Sequence, residues 1–153
     1  MNTHYRMVGR AVLVWFGIMV VAILNGALRD VVLVARMGDP MARAVSCVTL
    51  SLAIFAVAWL AMPWIRPGYA AGAWQIGVLW LAMTVVFEFG AGHYLFHTPW
   101  PQLLADYNLA AGRLWILVLA ATLMAPVIVY GTAENPAHAT EISAPAPDDT
   151  RRR

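Results

Sequence analysis

The sequence has little of the charge that a water-soluble surface requires, because charged residues make up only 12% of its 153 residues. An average soluble domain carries roughly twice that share. Hydrophobic residues make up 61% of the chain, and the mean hydropathy is +0.68. The scarcity of charge excludes an ordinary soluble domain and predicts an integral membrane protein.

Lysine is absent, so all ten basic side chains are arginine. The formal net charge is only +2, and no basic patch with interleaved aromatic residues occurs. These two observations exclude nucleic-acid binding. Arginine without lysine, together with abundant alanine, is typical of a GC-rich bacterial genome.

Cysteine occurs once, and this excludes an intramolecular disulfide as well as a CxxC redox or zinc motif. We interpret Cys47, near the start of an apolar stretch, as a small hydrophobic residue. The sequence also lacks GxSxG, Walker A and dinucleotide-binding motifs and a Ser/His/Asp set. An acyl-, phosphoryl- or hydride-transfer enzyme therefore has no support, and we predict no enzymatic activity.

The sequence does contain four apolar stretches of about 20 residues, each long enough to cross a bilayer as a helix. They cover residues 8–28, 44–65, 72–92 and 109–130. The first is longer than the apolar part of a typical signal peptide and no clear A-x-A site follows it, so we interpret it as a retained span. The predicted fold class is all-α: an integral membrane four-helix bundle over residues 1–130.

The sequence also predicts the structure of two connections and of the C-terminal segment. Pro67-Gly68 predicts a turn that makes spans two and three a tight antiparallel hairpin. Gly38-Asp39-Pro40 predicts a turn in the 29–43 link, whose first half could either prolong span one or lie along the membrane interface. Residues 131–153 are polar and rich in proline, alanine and threonine, and they predict a disordered tail.

Aromatic residues mark both predicted membrane boundaries: Trp64, Tyr69 and Trp74 at one, and Tyr94, Trp100 and Tyr107 at the other. The arginines near the membrane number three on the side of the termini and four on the opposite side, so they do not decide the orientation. We expect cytoplasmic termini because four-span proteins commonly have that topology. Small residues predict close helix approach at Ala22, Gly26, Gly90 and Gly92.

Polar side chains occur at one depth in all four spans, on the side of the 29–43 and 93–108 links, which we call the far side. Asn25, Ser46 and Thr49, Glu88 and Arg113 lie about 5–7 Å inside the apolar boundary at 1.5 Å per residue. Ionisable groups inside a membrane are costly, so they normally face the bundle interior and pair. We therefore predict a one-sided polar layer.

Glu88 and Arg113 are the natural ion pair of this layer, because they lie at matching depth on consecutive antiparallel spans. Asp106 precedes Arg113 by two helical turns and shares its face. The predicted polar network comprises Asn25, Arg29, Glu88, His93, Asp106 and Arg113. Three roles stay open for it: a buried structural pair, functional chemistry, or side chains that only reach to the headgroups.

His93 and His97 are four residues apart and could bind one metal ion on a continuing helix. However, no HExxH motif is present, the third ligand would have to be Glu88 or Asp106, and Pro99 indicates that the helix ends nearby. A bis-histidine haem requires ligands from opposed positions. We therefore predict no metal, haem or other cofactor, and we interpret His93 as a residue at the rim of the polar layer.

The segments LNGALRD (24–30), FEFGAGHY (87–94), LLADYN (103–108) and GRLW (112–115) resemble a pattern in a family of small four-span bacterial membrane proteins to which no activity is attached. The resemblance covers about residues 24–126. It implies that the signature positions are Asn25, Arg29, Glu88, His93, Asp106, Asn108 and Arg113. His97 does not belong to that pattern.

The expected function is that of a non-enzymatic component of a bacterial inner membrane, an accessory or assembly subunit whose polar layer fixes the bundle or docks a partner. One alternative is a small oligomeric transporter or channel that uses Glu88 as a proton or cation site. A second is a membrane enzyme or a metal or haem carrier that uses Glu88 and His93. The expected partners are the lipid bilayer and a protein partner or a second copy of the chain.

Overall fold

Four long helices form the structure, a computed structural model that describes residues 3–95, 99, 101 and 114–142. Every regular element in these ranges is helical, which confirms the all-α prediction. The elements are α1 (Thr3–Leu28), a π-helical turn (Arg29–Leu33), α2 (Val34–Met37), α3 (Asp39–Ile65), α4 (Ala70–Gly90), a second π-helical turn (Ala91–Leu95) and α5 (Trp115–Ile142).

The first span is longer than the sequence predicts. Residues His4–Met37 form one continuous 34-residue helix through the first π-helical turn. At 1.5 Å per residue such a helix is about 50 Å long, whereas the hydrocarbon core is about 30 Å thick. The first half of the 29–43 link thus prolongs span one. Gly38, with φ 77°, makes the predicted turn, and Pro40 lies in the first turn of α3, where a missing N–H costs nothing.

The second turn is short, because α3 ends at Ile65 and α4 begins at Ala70. Arg66 closes α3 in a left-handed conformation with φ 55°, and its N–H donates to the Met62 carbonyl at 3.0 Å. Gly68, with φ 72°, completes the change of direction. The turn that Pro67-Gly68 predicts is confirmed.

Hydrogen bonds between side chains and neighbouring helices establish the helix directions. Arg10 of α1 donates to the Trp64 carbonyl of α3 at 2.6 Å, while Asn25 donates to Ser46, so α1 and α3 are antiparallel. Trp80 of α4 donates to the Ala11 carbonyl at 2.8 Å and Trp15 donates to Thr84, so α1 and α4 are parallel. Consequently α3 and α4 are antiparallel to each other.

The packing order differs from the predicted hairpin, since α5 lies between α3 and α4 and packs extensively against both. α3 and α4 themselves make little direct contact despite their short connection, and α1 packs against α3 and more weakly against α4. The bundle is therefore a ring in the order α1, α3, α5, α4. The predicted turn and antiparallel direction of α3 and α4 are confirmed, but the two helices hardly pack against each other, because a tight turn fixes direction and not which helix fills the space beyond it.

Among the described glycines, Gly77 marks a close approach of two helices, because a Cβ atom there would overlap the Leu123 carbonyl oxygen of α5. By contrast, a Cβ atom at Gly26 or at Gly90 would meet nothing within 4 Å. Gly26 and Gly90 therefore do not mark a close contact between helices within the bundle. The position that needs glycine for contact between helices lies near the middle of α4.

The packed core occupies the half of the bundle that carries the 66–69 turn, which we call the near side. Trp80 and Ile76 are fully buried there, together with Ala58, Ile65 and Ala125. Outward-facing side chains are large and apolar along the spans: Leu60 is 70% exposed and Val86 is 71% exposed. Such a surface fits contact with lipid rather than with water.

The last helix continues to Ile142, although its membrane-compatible part ends at Ala133. The sequence predicted that ordered structure would end at Tyr130. Alanines and glutamates are strong helix formers and prolong a helix that packing has already nucleated. The rest of the predicted tail, residues 143–153, lies outside the described residues.

Candidate functional site

A cavity of about 320 Å³ lies in the far-side half of the bundle and is lined by α1, α3, α4 and α5. We call it the central cavity. Its volume is at the lower end of the range for small-molecule sites in proteins. Aliphatic residues form much of its wall. The polar residues that line it are Asn25, Arg29, Ser46, Thr84, Glu88 and Thr122, and the aromatic ones are Trp15, Phe87 and Trp115.

Asn25 is held in place by α3. Its Nδ2 donates to the Ser46 Oγ at 2.6 Å and to the Ser46 carbonyl at 3.0 Å, while the Thr49 hydroxyl donates to its Oδ1 at 3.0 Å. The predicted depth match of Asn25 with Ser46 and Thr49 is confirmed. These bonds connect α1 to α3 on the far side, as Arg10 and Trp64 connect them on the near side.

Arg29 starts the first π-helical turn and also lines the central cavity. Its Nε donates to Asp30 Oδ1 at 2.8 Å, and Asp30 is 63% exposed. The second π-helical turn carries His93, whose ring lies edge-on to Tyr94 with centroids 5.1 Å apart. Both spans that run toward the far side thus contain a π-helical turn in their far-side part, a feature that is frequent at functional sites.

Glu88 lines the same cavity but lies deeper than the sequence predicts. The bonds from Trp15 to Thr84 and from Trp80 to Ala11 both join residues 69 positions apart, so Glu88 is level with Met19. This level is six residues, about 9 Å, from Asn25. The reason is that span three continues past Gly92 through its π-helical turn. The polar layer is therefore thicker than one helical turn.

The remaining predicted network residues, Asp106 and Arg113, lie outside the described residues, as do Asn108 and His97. The ion pair of Glu88 with Arg113 consequently stays a prediction. Of the six predicted network residues, the structure brings Asn25, Arg29 and Glu88 to one cavity. His93 lies past the end of α4, one helical turn or more from the cavity lining residues of that helix.

Two tryptophans inside the bundle donate hydrogen bonds from their indole N–H groups to a neighbouring helix. Trp15 donates to the Thr84 hydroxyl at 3.0 Å and also packs edge-on against Phe87. Trp80 donates to the Ala11 carbonyl. Buried tryptophan normally finds such a partner because an unpaired N–H loses its hydrogen bond to water. Both pairs join α1 to α4.

Trp115 is different, because its Nε1 is buried and no hydrogen-bond partner for it lies in the described part of the chain. Trp115 lines the central cavity. A buried donor without a partner costs on the order of 1–3 kcal/mol. Trp115 thus contributes to the cavity wall through its ring, while its N–H stays buried.

Sequence reasoning missed Trp15, Thr84 and Trp115 as residues of the site. The position of the two tryptophans in the sequence could have indicated them. Both lie well inside apolar spans, whereas tryptophans that anchor a protein in the membrane lie at the interface. An indole at that depth must find an acceptor, so each of them points to a polar contact inside the bundle. The aromatic residues assigned to the boundaries behave as expected: Trp64, Tyr69, Trp74 and Tyr94 are all exposed.

The cavity has the chemistry of a binding site more than that of a reaction centre. Within the described ranges, no three His, Cys, Asp or Glu side chains are placed to hold a metal ion. Among the described residues, the lining offers amide and hydroxyl groups and one acidic and one basic side chain. Such a set can orient a small molecule by hydrogen bonds while the apolar wall excludes water.

The fold and its surface define the class of protein: a multi-pass membrane four-helix bundle, with four helices long and apolar enough to span a bilayer. No family model, curated protein or solved structure matches the chain.

Proposed function

We propose that the protein is a non-enzymatic component of a bacterial inner membrane that binds a small, lipid-soluble group in its central cavity. As an accessory subunit, it would present or protect that group for a partner protein. The observation that carries this proposal is the cavity itself, which combines a largely apolar wall with the polar side chains of Asn25, Thr84 and Glu88.

The position of the packed core favours binding over transport. A transporter needs a polar path to both sides of the membrane. On the near side of the cavity, Ala11, Trp80 and Ile76 are buried and tightly packed, together with Ala58 and Ala125. The polar side chains nearest to this core are engaged: Thr84 accepts from Trp15, and Thr122 donates to the Val118 carbonyl. The cavity is thus closed on the near side by packed side chains.

Filling the cavity tests the proposal. Gly26 lines the cavity, and a Cβ atom there would meet nothing within 4 Å, so Gly26→Leu adds a bulky side chain at the cavity wall. Native mass spectrometry after purification in mild detergent should detect a bound species or stoichiometric partner on the wild-type protein. Gly26→Leu should reduce its occupancy at least tenfold.

Gly17→Leu is the matched control. Gly17 is exposed on the same helix, also has open space at its Cβ position and does not line the cavity. This variant should retain the bound species at the wild-type level. A wild-type protein that carries nothing, or a Gly26→Leu variant that retains the species fully, would overturn the proposed function.

The orientation that we propose places both termini in the cytoplasm. The central cavity would then lie in the half of the bundle nearer the outer face of the inner membrane. The proposed ion pair of Glu88 with Arg113 would stabilise the wall of the cavity between α4 and α5.

A further inference from the structure

Basic side chains gather at the near-side end of α1 and α3, and we call Arg6, Arg10 and Arg66 the near-side arginine cluster. Arg10 is level with Trp64, because its guanidinium group donates to the Trp64 carbonyl at 2.6 Å. Arg6 precedes Arg10 by one helical turn on the same face of α1. Arg66 follows Trp64 by two residues. The cluster therefore spans about four residues, or roughly 6 Å, along the bundle axis.

Two of these arginines are held at the C-terminal end of α3. Pro67 has no N–H, so the Pro63 carbonyl lacks the usual helical partner, and the Arg66 Nε donates to it at 3.3 Å instead. Arg10 donates to the next carbonyl, that of Trp64, and its guanidinium carbon lies 5.2 Å from the centroid of the Trp64 ring. The two guanidinium groups thus converge on successive carbonyl groups.

Arg66 occupies a backbone position that favours glycine. It is the only non-glycine residue with a positive φ, 55°, among the described residues. Helices commonly end with glycine in this left-handed conformation, because a Cβ atom is unfavourable there. The arginine at this position therefore costs conformational free energy, and it places a guanidinium group where glycine would leave none.

The positive charge of the cluster is not compensated by any carboxylate whose side chain the structure describes. Those carboxylates belong to Asp30, Asp39 and Glu88, and all of them lie in the far-side half of the bundle. The C-terminus of α3 contributes only about half a negative charge. A guanidinium group has five N–H donors, so one bond to a carbonyl leaves most of its donors available.

The acidic residue of α5 that comes nearest in level is Glu134, and it lies beyond the cluster. Leu123 is level with Gly77, and Arg6 is two residues further out, given the 69-residue offset between α1 and α4. Because α5 runs toward the near side, Glu134 lies eleven residues beyond Leu123. It is thus roughly nine residues, or about 13 Å, further out than Arg6.

Exposed aromatic and aliphatic side chains surround the cluster. Trp64, Tyr69 and Trp74 are 45–49% exposed, as side chains at the level of the lipid headgroups are. Leu13 follows Arg10 by three residues on α1, and Leu60 precedes Trp64 by one turn on α3; they are 63% and 70% exposed. Excess positive charge at headgroup level therefore borders an apolar surface deeper in the membrane.

We propose that the near-side arginine cluster binds the phosphate group of an anionic phospholipid. Phosphate oxygens accept the parallel N–H bonds that the planar guanidinium group offers, and the acyl chains lie along the exposed leucines. Basic residues at the end of a helical bundle form the usual kind of site for an anionic headgroup. This site is separate from the central cavity and does not depend on the function proposed for it.

Lipid titration tests the proposal. Delipidated protein in a neutral detergent is titrated with dioleoylphosphatidylglycerol or with dioleoylphosphatidylcholine, which have the same acyl chains and differ in headgroup charge. Native mass spectrometry measures the apparent Kd of the bound lipid. Phosphatidylglycerol should bind at least about fivefold more tightly. Excess inorganic phosphate should displace it no better than chloride at the same ionic strength, because a free ion has no acyl chains to bury.

Substitutions of single arginines locate the site. Arg6→Gln and Arg66→Gln should each weaken the binding of phosphatidylglycerol about fivefold, and the double variant about 25-fold, because each basic side chain near an anionic headgroup contributes separately. Arg6 is exposed and forms no ion pair with a described residue, so Arg6→Gln leaves the contacts at the end of α3 intact. Arg36→Gln is the matched control, since Arg36 is an exposed arginine at the far-side end of the same span. It should change the Kd less than twofold.

Each contrary outcome has a separate meaning. Equal affinity for the two lipids, or an equal loss of affinity in Arg36→Gln and Arg6→Gln, would overturn the site. Displacement by inorganic phosphate would overturn the lipid as the source of the phosphate group. Gly26→Leu changes the wall of the central cavity and should keep the affinity for phosphatidylglycerol. Loss of lipid binding in that variant would show that the lipid occupies the central cavity and that the arginine assignment is wrong.

Discussion

At the residue scale, buried hydrogen-bond donors determine how the inside of the bundle is organised. Trp15 and Trp80 each reach a partner on the neighbouring helix, whereas Trp115 does not find one within the described residues. Inside a membrane there is no bulk water to satisfy an indole N–H. The satisfied tryptophans therefore join α1 to α4.

Removing the acceptor of Trp15 tests this role. Thr84→Val keeps the shape of the side chain but leaves the Trp15 Nε1–H without the hydroxyl that it contacts at 3.0 Å. The free energy of unfolding in mixed micelles should fall by about 0.6–1.7 kcal/mol, the range measured for hydrogen bonds between membrane helices. Thr84→Ser keeps the hydroxyl and should cost less. Equal losses in both variants would mean that the hydrogen bond contributes nothing.

The predicted pair of Glu88 and Arg113 belongs to the same scale. Glu88→Gln and Arg113→Gln should each destabilise the protein, because each leaves one charge inside the bundle without its counter-charge. The double variant should lose less stability than the sum of the single variants, with a coupling of about 0.5–3 kcal/mol. Unfolding of all four proteins in mixed micelles measures this coupling. A coupling of zero would exclude the pair.

At the scale of the helices, glycine position rather than glycine number decides where two helices touch. The backbone of α5 approaches α4 at Gly77, while Gly26 faces open space in the cavity. Both π-helical turns occur in the far-side part of a span. The sequence contains no proline in either turn to signal them, so these features depend on packing.

Gly77→Ala tests the contact of α4 with α5. The added methyl group would overlap the Leu123 carbonyl oxygen, so the two helices would have to separate. Overpacking of this kind costs about 1–3 kcal/mol, and unfolding in mixed micelles should show that loss. Gly17→Ala, at an exposed helical position with open space, should change stability by less than about 1 kcal/mol. A neutral Gly77→Ala variant would contradict the close approach.

At the scale of the whole molecule, the order of the helices around the ring creates the cavity. α1 and α5 are diagonal partners, and α3 and α4 flank them. On the near side, small and bulky side chains such as Ala11 and Trp80 fill the centre. On the far side, Ala22 and Gly26 of α1 leave the centre open. One half of the bundle is therefore a packed core and the other is a binding site.

The proposed orientation gives a further prediction at this scale. A C-terminal fusion to green fluorescent protein should fluoresce, and the same fusion to alkaline phosphatase should be inactive, because fluorescence requires the cytoplasm and the phosphatase requires the periplasm. A fusion of alkaline phosphatase within the 66–69 turn should likewise be inactive, since that turn lies on the side of the termini. The reverse pattern would show that the cavity lies in the half of the bundle nearer the cytoplasm.

The sequence by itself determined the membrane class, the four spans, the turns at Gly38 and Pro67-Gly68, and the grouping of Asn25, Arg29 and Glu88 on one side. Those properties follow from composition, periodicity and local backbone preference, which act along the chain. Only the tertiary structure decided that α5 separates α3 from α4, that Gly77 is the point of contact, and that Trp115 borders a cavity. These depend on how side chains from distant segments fill a shared volume, and no local pattern records that volume.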